Sequence, residues 1–481
     1  MNKYVKNYLL SVLNTVLGLL FPIITFPYVS RVLGPDKLGA VNFVQSYGYY
    51  FVHLASFGIN SYAIREVSKV RDDKEKVTKV SNEIYNINLF FSIISTVVYF
   101  LIVLATPKLR TDFILYAVYS LIIISNFLTL EWLLQSYDDY MFTTVRSTII
   151  RIISLVAVFV FIHGEGDYIK YMLISTIAEM GSRISCLIYS RKEYVKLVVN
   201  SKYLNFKAHI KQLFTLFTFR LVNGISANLD KLMIGFMLAY VNVGLYSAGV
   251  KFNLMLVPII ETIGIVLFPK INISASNSKE EYLKILRLNY DLILLIGMPM
   301  MVGMFLISPR LILLMAGEEY VASITVSRIM SLIIILCPIG DMLGSKTLLV
   351  HGKDKELLIS SSVVAISNIV FNVICIPIWG INGAAIASVI SYIVAVVMRL
   401  YFTKKINEFR ILTLSAVKYF MCTIPFIIGY LVFREQIDNS NVGMFVFIAF
   451  CIIAYILELI ITKDYFVEIL REKLLSKRKV K

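Results

Sequence analysis

The stretch 442–462, VGMFVFIAFCIIAYILELIIT, runs for twenty-one residues and carries a single charge, Glu458. A helix crossing a bilayer needs about 20 mainly apolar residues, so this stretch reads as a membrane span. Thirteen further stretches read the same way: 8–29, 39–62, 84–105, 113–135, 147–162, 169–190, 212–238, 244–269, 288–308, 320–344, 356–377, 381–403 and 411–433. The whole composition agrees. Of 481 residues, 58% are hydrophobic and 16% charged, against roughly 45–50% and about 25% in soluble domains. The mean hydropathy is +0.77. No single hydrophobic interior hides that much apolar surface from water, which excludes a soluble enzyme or a nucleic-acid-binding domain. The first stretch follows Lys3 and Lys6 without a small-residue cleavage site, so it is expected to be a retained span rather than a signal peptide.

The formal net charge is +16, and its distribution explains it. With the N-terminus inside, the inner connections carry thirty-two Lys and Arg, the outer ones six, and the spans nine. That asymmetry matches the positive-inside rule for a chain with both termini inside; the opposite orientation fails it. Most of the charge is therefore topology and membrane-surface anchoring. Every connection is short, and no phosphate-binding G-x-x-x-x-G-K-[ST] loop occurs, so the chain is expected to bring no ATPase of its own. Cys186, Cys337, Cys375, Cys422 and Cys451 lie in apolar stretches without C-x-x-C spacing and read as small buried apolar residues. His53, His163, His209 and His351 form no zinc pattern, so neither metal nor cofactor is expected.

An internal repeat divides the spans. At an offset of 205, Leu33-x5-Gly39 overlays Leu238-x5-Gly244, Arg65 falls on Lys270, and Lys74-Glu75 falls on Lys279-Glu280. His163-Gly164 before 169–190 likewise matches Trp379-Gly380 before 381–403. Six spans per half is an even number, so the halves share one orientation. The expected organisation is a lobe at 1–211, a second at 212–410, two additional spans within 411–462, and a basic inner tail at 463–481.

Polar residues at membrane depth cost several kcal/mol unless they face a bundle interior or a wet cavity. In 39–62, Asn42, Gln45, Tyr49, His53, Ser56 and Asn60 recur every three or four residues, which places them on one helical face. As a continuous helix the stripe covers about 27 Å of rise, nearly the hydrocarbon thickness. It reads as a polar cavity wall, with helix–helix hydrogen bonding as the alternative. In 212–238, Arg220, Asn223 and Asp230 keep helical register with Lys231 at the edge. In 244–269, Ser247, Lys251, Pro258 and Glu261 share a face. The net sign of the deep group is positive: Arg220, Lys231, Lys251 and Arg328 lie further from the inner surface than helix-end residues such as Arg151, Arg183 and Arg399. Each could be an ion pair with Asp230, Glu261, Glu179 or Asp341; as a group they favour a cavity receptive to anions. Pro22 and Pro27 in the first span, and Pro258, suggest bends of the kind alternating access needs.

The stretch from Pro27 to Gly39, PYVSRVLGPDKLG, followed by Phe57-Gly58 and Arg65-Glu66, resembles the N-terminal signature of polysaccharide repeat-unit flippases. So do Asn228-Leu-Asp-Lys-Leu-Met-Ile-Gly235 and Val243-Gly-Leu-Tyr-Ser-Ala-Gly249. These exporters belong to the multidrug/oligosaccharidyl-lipid/polysaccharide superfamily. The resemblance implies an all-α integral membrane protein of fourteen transmembrane helices, with two six-helix lobes around a central cavity and two C-terminal helices. It implies a bacterial inner-membrane location and transfer of an undecaprenyl-diphosphate-linked oligosaccharide between leaflets, ahead of O-antigen or capsule assembly. It also leaves room for a polysaccharide polymerase as partner.

The family carries no invariant catalytic motif, so the candidate residues rest on depth and register. They are Arg220, Lys231, Lys251, Asn42, Gln45, His53, Asn60, Asn223 and Arg328 for substrate, with Asp230 and Glu261 for a coupling proton or sodium ion. Two rivals remain. A cation-coupled multidrug antiporter of the same superfamily would need acidic residues for a cationic substrate, where the deep excess here is basic. A membrane glycan polymerase or lipid-dependent glycosyltransferase would need a sizeable outer loop. The outer acidic pairs Glu165/Asp167 and Glu318/Glu319 sit on short turns and read as solvated caps.

Overall fold

The computed structural model describes residues 3–466 except 405, 407, 408, 410 and 412, together with 468; the side chains of 3–16, 19, 20, 219–223 and 225–227 lie outside the described residues. Among the described residues the secondary structure is helical throughout, with no strand. The helices are α1 (Lys3–Ser56), α2 (Ile59–Val70), α3 (Lys74–Ala105), α4 (Pro107–Arg110), α5 (Phe113–Ile124), α6 (Glu131–Ser136), α7 (Tyr140–Phe161), α8 (Tyr168–Glu193) and α9 (Phe206–Met237). They continue as α10 (Tyr240–Asn277), α11 (Lys279–Ala316), α12 (Ser323–Met330), α13 (Ile333–Leu343), α14 (Asp354–Thr403), α15 (Leu414–Met421), α16 (Ile424–Asn439) and α17 (Asn441–Ile461). Nine helical stretches among the described residues are long and apolar enough to cross a membrane. The 442–462 stretch is one of them, as α17. Another, α14, runs fifty residues and breaks at Gly380 (φ 58°), at the boundary expected between 356–377 and 381–403.

Two compact units divide the chain, Met1–Ser247 and Ala248–Lys481. In the first, α1 packs on α3, α5, α7 and α9, and α7 pairs with α8. Helical φ/ψ angles run through Pro22 and Pro27; the break in α1 falls instead at Gly34 (φ 67°), just before Pro35. The prolines expected to interrupt this span sit in continuous helix. Gly34, lacking a Cβ, is the residue that reaches the left-handed region cheaply. A tight core joins α2, α3, α6, α8 and α9 through Tyr62, Ile84, Tyr85, Trp132, Leu133, Cys186 and Leu213. The repeat-matched glycines meet within this unit. A Cβ on Gly39 would stand 1.9 Å from the Tyr240 carbonyl oxygen, and one on Gly244 would stand 2.0 Å from that of Pro35. Both positions need glycine for backbone approach.

The segment after α8 is laid along α3 by two asparagines. The Asn82 amide donates to Lys196 O (3.2 Å) and accepts from Val198 N (2.8 Å). Asn86 repeats the pattern with Val198 O (3.0 Å) and Asn200 N (2.9 Å). These side chains act as a partner strand would, satisfying backbone groups that have no helix of their own. The start of α9 is fixed to the same place, where buried His209 lies between the Tyr62 hydroxyl (2.6 Å) and the Glu83 carboxylate (3.0 Å).

In the second unit, α11 packs on α12, α13, α15, α16 and α17, and α14 packs on α12 and α13. Ser278 caps α11 by accepting from Glu281 N at 3.3 Å, and Ser440 caps α17 by accepting from Gly443 N at 3.2 Å. Such caps contribute about 0.5–2 kcal/mol each. Rows of exposed apolar side chains, including Ile152, Ile153 and Val156 on α7 and Ile452, Ile453 and Ile456 on α17, give both units a surface suited to acyl chains. Cys186, Cys375, Cys422 and Cys451 are buried and unbridged, and Cys337 is half-buried and unbridged, as their apolar settings led us to expect.

Candidate functional site

The second half of α1 carries the polar stripe. Asn42, Gln45, Tyr49, His53 and Ser56 are half-buried, while Val41, Phe43, Val44, Ser46 and Tyr47 between them are buried. Register alone accounts for that alternation. The Tyr49 and His53 rings meet edge to face, with centroids 4.3 Å apart. At the end of the row, Ser56 Oγ donates to Asn126 Oδ1 (3.3 Å), whose amide nitrogen donates to Asn88 Oδ1 (3.2 Å). Hydrogen bonding between helices therefore takes the last position of the stripe.

Asn60 corrects the expectation of one continuous helical face. The helix stops at Ser56, Phe57 (φ 39°) and Gly58 (φ 76°) are left-handed, and Asn60 lies on the separate helix α2. The cause is tertiary. The Phe57 ring is stacked between Phe91 (3.8 Å) and Phe217 (4.6 Å), holding a non-glycine residue in a costly conformation. Gly58 then admits the α9 backbone, where a Cβ would stand 2.9 Å from Phe217 N.

On α9, the side chains of Arg220 and Asn223 lie outside the described residues. Further along, Asp230 is buried (8% exposed) and accepts a hydrogen bond from the Tyr246 hydroxyl at 2.6 Å. Lys231 is half-buried and donates to Asn228 Oδ1 at 3.2 Å; the same oxygen accepts from Ser46 of α1 at 3.4 Å. The first unit thus brings Lys231 and Asp230 next to the stripe-bearing helix. Asn228 and Tyr246 belong to this cluster and escaped the register argument. Their signal was present, since both stand in the motifs 228–235 and 243–249.

In the second unit Lys251 and Glu261 are half-buried on α10. The charged groups facing Glu261 are Asp341 and Lys346. Lys346 is 5% exposed and pairs with Asp341, which also accepts from Ser345 Oγ at 2.7 Å. The sequence places Lys346 in an inner connection because 320–344 ends before it. The structure folds it inward through a π-helical turn, Gly344–Leu349, which follows α13 and brings Lys346 back to Asp341 near the end of that helix. Gly264 makes the room, since a Cβ there would stand 2.6 Å from Lys346 Nζ. Arg328 is engaged elsewhere in the same unit. Its Nε donates to Phe305 O (3.3 Å), and its Nη2 donates to Tyr430 on α16 (3.3 Å). Among the described residues no group of three or more His, Cys, Asp or Glu could hold a metal ion.

What these units can do chemically is offer positive charge and hydroxyl or amide partners inside an apolar shell. Comparison with known proteins agrees in class. Residues 4–272 match the family described as "Polysaccharide biosynthesis protein". The "Putative O-antigen transporter" of Escherichia coli (strain K12) is 21% identical over 338 residues, 70% of this chain and 81% of that protein. The protein of the same description from Shigella dysenteriae is 21% identical over 354 residues, 73% of this chain and 88% of that protein. Among solved structures, "Lipid II flippase MurJ, inward closed conformation" has a TM-score of 0.78 at 16% identity, over 96% of this chain and 100% of that one. An inward-facing multidrug resistance MATE family transporter has a TM-score of 0.60 at 14% identity, over 82% and 94%. The chain belongs to the polysaccharide biosynthesis protein family, and its apolar helices make it a multi-pass membrane protein.

Proposed function

We propose that the chain moves undecaprenyl-diphosphate-linked oligosaccharide repeat units from the inner to the outer leaflet by alternating access, serving O-antigen, capsule or a related glycan. The reading takes fourteen crossings with both termini inside, two lobes at 1–211 and 212–410, the additional pair within 411–462 and the basic tail. It makes the protein a transporter and not an enzyme, handing its product to a polymerase. A diphosphate cannot cross hydrocarbon unaided, because burying its charge is prohibitive. Cations in a wet cavity replace its hydration, sugar hydroxyls bond to side chains such as Asn42, Gln45 and His53, and the prenyl tail stays in lipid.

One observation carries the reading: Lys231 is held by the neutral amide of Asn228, while the adjacent Asp230 is occupied by Tyr246. Lys231 thus donates to a neutral amide oxygen and forms no direct ion pair among the described residues, an arrangement that suits an anionic ligand. Arg220 and Lys251 complete the cationic set, and Asn60 and Asn223 add hydrogen-bonding groups. The contacts of Arg328 with Phe305 and Tyr430 suit a fastening of α12 to α16 as well as a ligand role. Asp230 and Glu261 are the proton- or sodium-coupling candidates, and Glu261 does so facing a carboxylate and an ammonium.

The test is genetic. Deleting the gene should accumulate a lipid-linked glycan on the inner leaflet. Complementation with Lys231→Ala, Lys251→Ala or Arg220→Ala should lower surface glycan at least tenfold at equal membrane abundance. Normal export from all three variants sinks the assignment; protection from cationic dyes on expression would favour the antiporter rival.

A further inference from the structure

Within the first unit alone, α1, α6, α7 and α8 line a partly open cavity of about 520 Å³, inside the range of about 300–1,000 Å³ typical of small-molecule sites. Its walls come from helical register. Along α7, Thr143, Thr144, Ser147, Arg151 and Ser154 face it, and along α8, Tyr171, Ser175, Glu179 and Ser182 do. Such a density of hydroxyls is unusual inside an apolar protein, and their bonding is one-sided. Thr144 Oγ1 donates to Tyr140 O (2.9 Å), Ser147 Oγ to Thr143 O (2.6 Å), Ser154 Oγ to Ile150 O (2.8 Å) and Ser175 Oγ to Tyr171 O (3.0 Å). Each of these hydroxyls donates to a carbonyl of its own helix, and a hydroxyl oxygen that donates can also accept.

Donors come from Arg146, which also lines the cavity and is 6% exposed. Its Nη2 binds Glu131 Oε1 at 2.5 Å, while Nε and Nη1 are buried without a hydrogen-bond partner. These two nitrogens carry three N–H groups, and a buried unmet donor costs about 1–3 kcal/mol, so a ligand toward which the side chain can turn is favoured. The neighbouring Arg183 shows that the helices could have satisfied an arginine here. It is bonded by Glu179, by the Ile122 carbonyl and by Ser125. Arg151 supplies a second guanidinium, lying against Gly18, where a Cβ would stand 3.4 Å from its Nη2.

The mixture of charges selects the ligand. A simple anion would meet the carboxylates of Glu131 and Glu179, and a cation would meet Arg146 and Arg151. A polyhydroxylated, uncharged group satisfies both kinds, with its hydroxyls donating to carboxylates and serines and accepting from guanidinium. Phe21, Tyr140 and Tyr171 offer flat faces for the C–H side of a sugar ring. We propose that this cavity is a carbohydrate subsite, taking one or two sugar rings of the transported headgroup. The proposal rests on the flippase reading, and assigns to α7 and α8 the recognition of sugar as distinct from diphosphate.

The full chain in nanodiscs tests it with two probes: undecaprenyl-diphosphate saccharides extracted from cells that make this chain's own glycan, and bare undecaprenyl diphosphate. Wild type should bind the saccharide-bearing lipid at least tenfold more tightly. Ser175→Leu fills the cavity without touching the ion pair, and it should remove that preference while changing affinity for the bare lipid less than twofold. Arg146→Met should do the same, with its melting temperature recorded alongside. Preference retained in Ser175→Leu, an equal loss for both lipids, or no preference in wild type each overturns the subsite. Wild type binding neither lipid overturns the flippase reading itself.

Discussion

Two Asp–Lys combinations inside the helices are built in opposite ways. In the second unit Asp341 and Lys346 pair directly, and the lysine is buried. In the first unit Asp230 and Lys231 are neighbours in the chain, yet the carboxylate goes to Tyr246 and the ammonium to Asn228. Adjacent residues on a helix point about 100° apart, so Asp230 and Lys231 reach different neighbours. Asp341 lies near the end of α13 and Lys346 in the π-helical turn that follows it, and that change of winding lets the two side chains reach each other. The first arrangement keeps charge on offer; the second turns charge into a lock between α13 and the following turn.

Breaking the lock should have the largest effect. Asp341→Ala removes the direct partner of a buried ammonium and leaves it facing the Glu261 carboxylate; breaking such a pair costs up to about 3–5 kcal/mol. The melting temperature in detergent should drop sharply, and Asp341→Ala combined with Lys346→Met should recover much of it. An unchanged melt for Asp341→Ala would remove the distinction between the two sites. Next comes Tyr246→Phe, which leaves the Asp230 carboxylate without its hydroxyl donor at a cost of about 1–3 kcal/mol. With that hydroxyl gone the carboxylate competes more strongly for Lys231, so glycan export should fall severalfold while the Asp341–Lys346 unit keeps its stability. Export at the wild-type level would show that Tyr246 does not keep the two charges apart.

The smallest effect belongs to a pair outside the spans. Asp167 accepts from the backbone nitrogens of His163 (2.9 Å) and Gly164 (3.2 Å) and pairs with Lys170 at 2.7 Å. The Lys170 ammonium, followed by the backbone N–H of His163, holds its carboxyl down at about 2. A depressed carboxyl contributes stability above its ordinary value near 3.8, and that contribution is lost as pH falls through about 2. Because its partner Lys170 is exposed and water screens the pair, the effect is slight. Melting curves between pH 4 and pH 2 should converge for wild type and Asp167→Asn; a gap persisting below pH 2 would exclude this origin.

Much of the molecule was legible before any coordinates. The bilayer setting follows from run length and composition, and the break near residue 380 from Trp379-Gly380. The alternation along Asn42, Gln45, Tyr49 and His53 follows from helical period. The acidic turn at 165–167 was rightly read as a cap. Lys346 was not legible, because a hydropathy boundary is blind to a π-turn that folds a lysine back inside. Nor was the cavity between α7 and α8. Its serines and threonines lie on faces that periodicity could expose, but Arg146 reads from sequence as an inner-loop residue.

The chain by itself determined that its solvent is lipid, which stretches become helices, and to which family it belongs, because these depend on local composition and pattern. Only the folded arrangement decided that Phe57 and Gly58 end the stripe before Asn60, that Asp230 answers to Tyr246, and that Arg146 keeps two nitrogens unmet while Arg183 keeps none. Those outcomes turn on which side chains from distant helices arrive within about 3 Å of one another, a distance that no spacing along a single helix specifies.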